Sequence, residues 1–178
     1  MSFANRASAK VFRDKLEIPV IQGGMGVGIS MGKLAGSVAA CGGMGVISTA
    51  LIGFREEDFY QNHVEADVRA LRKEIQIAKE IANGRGMIAI NAMTVTTDYR
   101  ECIEAAVREG IDAIISGAGL PLALPELVDG KDVLIAPIVS SAKAAALIMR
   151  SWNKKCERKP DFIVVEGSGA GGHLGFKK

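Results

Sequence analysis

The sequence is poor in the residues that mark several specialised protein classes. Cysteine occurs three times, as Cys41, Cys102 and Cys156. The odd number argues against a complete disulfide framework, and the wide separation matches no paired metal-ligand spacing. Reduced, structural thiols are expected. Histidine is scarcer, with only His63 and His173, and neither has a second histidine or cysteine nearby to share a metal ion. No sign of charge dominates: 22 Lys and Arg against 20 Asp and Glu leave a net +2, mixed along the chain. There is no basic stripe of the kind that neutralises a nucleic-acid backbone. No apolar run approaches the roughly 20 residues of a membrane span, and residues 1–19 lack the apolar core of a signal peptide. A cytoplasmic location is the expectation. Disorder is excluded by 48% hydrophobic and 24% charged residues, an ordinary globular balance.

Glycine is what the chain has in excess. The 21 glycines among 178 residues exceed the roughly 7% average, and they cluster, unlike those of a flexible low-complexity chain. Around the clusters, short apolar β-branched runs alternate with longer amphipathic ones. Strands are predicted over 18–22, 45–49, 87–91, 113–116, 133–137 and 162–166, and helices over 31–40, 65–82, 99–109, 122–127 and 141–154. A further short turn or helix is predicted over 54–62. In the third helix Cys102, Ile103, Ala106 and Val107 share one face. Arg100, Glu101, Glu104 and Arg108 lie largely outside it. Strands that are apolar throughout and separated by helices indicate an α/β chain with a parallel sheet covered by helices.

The placement of unusual residues selects the architecture. An open doubly wound sheet concentrates its binding loop at one switch point, whereas a barrel draws on the carboxyl end of every strand. Here almost every predicted strand ends in something special. The segments are Gln22 to Gly26, Ser48-Thr49, Asn91 to Met93, Ser116 to Gly119, Pro137 to Ser141 and Glu166 to Gly175. A TIM-type (β/α)8 barrel is therefore predicted, as a single domain over 1–178. Six βα units are visible where eight close a barrel of roughly 250 residues. The expectation is a barrel incomplete at its C-terminus, with closure by another chain in a homo-oligomer as the alternative.

Gln22-Gly23-Gly24-Met25-Gly26-Val27-Gly28 directly follows the first predicted strand, where missing β-carbons let the backbone approach a flat ring or an anion. It does not fit a Rossmann phosphate loop. Gly24, Gly26 and Gly28 lack the second spacing of G-x-G-x-x-G, and Thr49-Ala50-Leu51 stands where a ribose-binding acid would. Cys41-Gly42-Gly43 lies at the opposite face and is read as a helix end and turn. Asn91 ends an otherwise apolar strand, and its carboxamide offers a donor and an acceptor to a heterocycle edge, or forms a turn. Lys143 could reach a flavin or phosphate from the start of its helix, or simply be solvated. Between Glu166 and Gly175, five glycines surround His173, an entropic cost that suits a loop built to approach a ligand. His173 is the one imidazole at the predicted active face, because His63 sits in a charged helical region. It could serve as acid, base or hydrogen-bond donor.

Taken together, Ile18 to Gly26, Val165 to Gly175 and Asn91 resemble the nitronate monooxygenase (2-nitropropane dioxygenase-like) family. The resemblance runs from about Phe12 to the C-terminus. It implies a flavin-binding (β/α)8 barrel with Gly23, Gly24, Met25, Asn91, Glu166 and Gly171 at FMN and His173 in catalysis. Many members have Gln where Glu166 stands and Glu where Gly169 stands. The implied activity is oxidation of alkyl nitronates or nitroalkanes with O2. His173 would hold the planar anion or remove the acidic α-proton of the neutral compound. The same segments also resemble FMN-dependent enoyl-acyl carrier protein reductases, which use NAD(P)H. An alternative of another class is a non-catalytic barrel fragment or assembly subunit. In many such barrels loops after the seventh and eighth strands hold a phosphate, so weak or no FMN binding is expected of residues 1–178 alone and strong binding of a version extended through two further βα units.

Overall fold

The computed structural model of the chain describes residues 14–171. Five strands form: β1 (Met44–Ser48), β2 (Met87–Met93), β3 (Ala113–Gly117), β4 (Leu134–Val139) and β5 (Val164–Val165). Helix α1 (Gly32–Ala40) precedes β1. Helices α2 (His63–Ala82), α3 (Tyr99–Arg108), α4 (Leu124–Leu127) and α5 (Ala142–Cys156) follow β1 to β4 in turn. Each strand pairs in parallel with the next, in the order β1-β2-β3-β4-β5. A doubly wound sheet reverses its order at the switch point. An uninterrupted parallel order with helical crossovers is instead the arc of a (β/α) barrel.

Alternation along the strands separates two cores. Met44, Val46, Met87, Ala89, Ala113, Ile115, Leu134 and Ala136 form an inner cluster, one residue in two. The intervening Ile47, Ile88, Ile90, Ile114 and Ile135 pack outward against Ala35, Leu71, Ile75, Ile103 and Trp152. Burial on both faces is the physical reason for unbroken apolar runs. Helix α1 lies directly on β1, since a side chain at Gly45 would collide with the Ala35 backbone. At the amino ends of the strands one device appears twice. Asp112 accepts from the Ile88 N–H at 2.9 Å and Asp161 from the Ile135 N–H at 2.8 Å, so each carboxylate closes the ladder of the preceding strand.

The predicted first strand is the main correction. Residues 18–22 run beside β1, with Ile18 N–H donating to Gly42 O at 3.1 Å, Met44 N–H to Val20 O at 2.9 Å and Gln22 N–H to Met44 O at 3.0 Å. Only Ile21 and Met44 form a bridge. Pro19 has no N–H, and the Val20 N–H turns back to Ile18 O at 2.7 Å, so the segment is an extended edge. The last predicted strand, 162–166, contracts to β5. Strand β2 runs on to Met93 beyond the expected end at Asn91, and β4 runs on to Val139. The predicted helix over 122–127 contracts to the single turn α4, where Pro125 fits only because it stands in the first turn. Residues 54–61 form turns with no helix among them.

Candidate functional site

The carboxyl face of the sheet begins with the loop over 23–30, which closes on itself through two side chains. Where the backbone leaves β1, the carboxamide of Gln22 takes over the ladder: Oε1 accepts from the Val46 N–H and Nε2 donates to Val46 O, both at 3.1 Å. Nε2 also lies 2.8 Å from Gly23 O and 2.9 Å from Ser30 Oγ. Ser30 is fully buried. Its hydroxyl accepts from the Met25 N–H at 2.9 Å and donates to Gly23 O at 3.2 Å, while its carbonyl accepts from the Ser48 N–H at 2.9 Å. The loop is thus tied to β1 at both Val46 and Ser48.

Three of its glycines lie against protein. A β-carbon at Gly24 would stand 2.5 Å from Asn91 Cβ, one at Gly26 2.8 Å from Ala50 Cβ, and one at Gly28 2.7 Å from the Phe54 ring. Gly23 has nothing within 4 Å of that position. The structure therefore brings two of the sequence-predicted site residues, Gly24 and Asn91, into contact, with Gly23 facing open space beside them. Met25 follows, 60% exposed. Asn91 pairs with Ser48 in the ladder and, by alternation with Met87 and Ala89, faces the inner side of the sheet. Its carbonyl accepts from the Thr49 N–H at 3.0 Å and the Thr49 hydroxyl at 3.2 Å. Its half-buried carboxamide makes no hydrogen bond among the described residues.

Glu166 continues the inward alternation of Phe162 and Val164, and its N–H donates to Val139 O at 2.8 Å. It lies on the same carboxyl face as Asn91, separated from it by β3 and β4. Gly171 is exposed at the end of the described chain. His173 lies outside the described residues. Lys143 is exposed in the first turn of α5, where Ser141 caps the helix by accepting from the Ala144 N–H at 3.2 Å.

The loops of this face carry exposed apolar side chains, among them Met25, Val27, Ile29, Leu51, Val95 and Leu120. An apolar rim, an open stretch of glycine backbone and an unpaired carboxamide suit a flat heteroaromatic ring with polar edges, which would cover the apolar surface and turn an edge to Asn91. Two non-glycine residues on the same face hold left-handed conformations, Leu51 (φ 50°) after β1 and Ala118 (φ 51°) after β3. Such backbone persists only where surroundings enforce it. Ala118 is held by Thr94, whose hydroxyl donates to its carbonyl at 2.9 Å. The Leu51 segment is held by Asp67, which accepts from the Gly53 N–H at 2.6 Å.

Sequence reading missed Ser30, Phe54 and Asp67. Nothing in the pattern marks Ser30 or Phe54. Asp67 did carry a signal, because it interrupts the buried stripe of Ala66, Ala70, Leu71, Ile75, Ala78 and Ala82 on α2. An acid on such a stripe needs a buried partner.

Among solved structures, FabK from Thermotoga maritima matches with a TM-score of 0.70 at 23% identity, covering 93% of this chain and 46% of that one. Its M276A mutant matches with the same TM-score and identity over 93% of this chain and 48% of that one. The chain thus spans about half the length of these structures, and at this identity the likeness speaks for the fold. No curated protein matches the chain. The profile of the family described as nitronate monooxygenase matches residues 9–178, nearly the whole sequence, and the chain belongs to that family.

Proposed function

We propose that the chain carries the flavin-facing part of an FMN-dependent oxidoreductase of nitronate monooxygenase type, acting on alkyl nitronates or nitroalkanes with O2. The observation that carries this reading is the contact of Gly24 with Asn91, which sets an open backbone stretch at Gly23 beside an unpaired carboxamide. Gly23, Gly24 and Met25 would line the ring, and Asn91 would meet its polar edge. Glu166 and Gly171 would approach from the far end of the same face. Bound FMN supplies two-electron oxidation and the reaction with oxygen. The protein positions the substrate. Neutral His173 would accept the α-proton of a nitroalkane on an imidazole nitrogen. As a hydrogen-bond donor it would hold the oxygens of a nitronate.

Purification of the full chain with FMN, followed by oxygen-uptake measurements with an alkyl nitronate and no nicotinamide, tests the proposal. Uptake that saturates with nitronate supports it. NAD(P)H oxidation that depends on an enoyl thioester, without nitronate-dependent uptake, assigns the chain to the reductase reading. A folded chain that takes up no flavin even when extended through two further βα units overturns both.

A further inference from the structure

A buried acid pair lies beneath the candidate site and has no part in the chemistry above. Asp67 is 1% exposed and Asp98, immediately before α3, is 5% exposed. The two carboxyls lie within hydrogen-bonding reach of each other. Carboxylates accept only, so a bond between two of them requires a shared proton. Asp67 also accepts from the Gly53 N–H at 2.6 Å, and the Cys102 thiol donates to Asp98 Oδ2 at 3.1 Å.

Gly53 belongs to the connection between β1 and α2, which is packed on both sides. Toward α2, a β-carbon at Gly53 would stand 2.5 Å from the Ala66 carbonyl carbon and 2.7 Å from the Asp67 nitrogen. Toward the glycine loop, the same connection presents Ala50 to Gly26 and Phe54 to Gly28. Asp98 belongs to the connection after β2, the strand that carries Asn91. The pair therefore links the connection on which Gly26 and Gly28 rest with the one that follows β2, the strand on which Gly24 rests.

We propose that Asp67, paired with Asp98, is a positioning residue for the cofactor loop: through Gly53 it holds Ala50 and Phe54 against Gly26 and Gly28, and loss of the shared proton loosens that grip. The cofactor part of this inference rests on the flavin reading. Burial raises the Asp67 carboxyl to about 6, the Asp98 carboxyl adds to the rise, and the Gly53 N–H and the nearby His63 oppose it. Of the other titratable groups around Asp67, His63 is exposed and the Cys102 thiol is pushed far upward by burial, with Asp98, Asp67 and Glu101 adding to the rise. Asp67 is thus the buried group of the cluster that changes charge near neutrality. Because its folded value is raised, the protonated pair is the favoured folded form, and its contribution is lost as pH rises through about 6.

Asp67→Asn supplies the test, since its amide keeps an acceptor for Gly53 and offers Asp98 a permanent donor. Two measurements are made on the full chain between about pH 5 and 7.5: FMN affinity by flavin fluorescence, and amide hydrogen exchange in 23–30 and 49–56. The parent-to-variant ratio at each pH removes intrinsic exchange rates and the ligand's own phosphate ionisation near about 6. Expected is a parent-to-variant affinity ratio that falls roughly 3- to 10-fold as pH rises, with faster parental exchange in both segments. Unchanged exchange ratios in 23–30 overturn the positioning role whatever the flavin does. A pH-dependent exchange ratio in a chain that binds no FMN at any pH, with or without two further βα units, sustains the positioning role and removes the flavin reading.

Discussion

Gly24→Ala is the most direct probe of the site. The new β-carbon would sit 2.5 Å from Asn91 Cβ, against the roughly 3.5 to 4.0 Å that carbons keep in contact. Neither atom is the tip of a flexible side chain. Asn91 Cβ is fixed within β2, paired with Ser48 on one side and Ile115 on the other. The loop must therefore lift by about 1 Å, and the bonds of Ser30 to Gly23 and Met25 stretch with it. Overpacking of this kind costs about 1 to 3 kcal/mol. At roughly 2 to 4 °C per kcal/mol for a chain of this size, Tm should fall by about 2 to 12 °C, and FMN affinity by about tenfold or more. Gly23→Ala is the control, since its β-carbon would meet nothing within 4 Å. Its stability should stay within about 0.5 kcal/mol of the parent, so any loss of FMN affinity there reports the nearness of the ring itself. Asn91→Gly removes the clashing carbon, so Gly24→Ala should cost far less in that background than alone. Thermal melts and flavin fluorescence titrations read the parent and all four variants. A Gly24→Ala chain that melts with the parent and binds FMN equally well would show that the loop does not rest on Asn91.

His173→Asn should leave FMN binding largely intact while lowering turnover of nitroalkanes by roughly 10²-fold or more; unchanged turnover removes the imidazole from the reaction. Because the folded value of Asp67 is raised from 3.8 to about 6, its stabilising contribution is complete below about pH 4 and declines to about pH 6, by an amount on the order of 3 kcal/mol. Melts of parent and Asp67→Asn across that window should diverge as pH rises, and parallel curves would refute the shift. Trp152 is fully buried and its indole N–H donates to Pro121 O at 2.9 Å, so Trp152→Phe should lose about 1 to 3 kcal/mol and speed hydrogen exchange in 118–123. Unaltered exchange there would mean that α5 does not hold the loop after β3.

Much of the fold was legible because one physical cause wrote it twice. Strands buried on both faces must be apolar at every position, and helices that cover them need a stripe; Met87 to Ile90 of β2 show the first pattern and α3 the second. Residues 18–22 were misread for a reason equally local. Their apolarity signals a buried strand, but Ile18 and Val20 are 44% and 53% exposed, and Pro19 withdraws a donor that a strand would use. The ladder beyond them is completed by a side chain, Gln22, and composition carries no mark of an amide that replaces backbone. Asp67 was visible as an anomaly on its helix, whereas its partner Asp98 follows only from the packing of α2 beside α3.

The glycine loop shows where such reading stops. Glycine after a strand reports that something comes close, without saying what. Sequence reading assigned the space beside Gly23 and Gly24 alike to a ligand. The structure divides it: Gly24, Gly26 and Gly28 give their space to Asn91, Ala50 and Phe54, and Gly23 keeps its own open. Three close approaches are therefore spent on assembling a wall from β2 and the connection after β1, and one is left for whatever the wall receives. A motif of this kind specifies its ligand only through the residues it is folded against, which is why the contact of Gly24 with Asn91, and not the run of glycines, carries the functional reading.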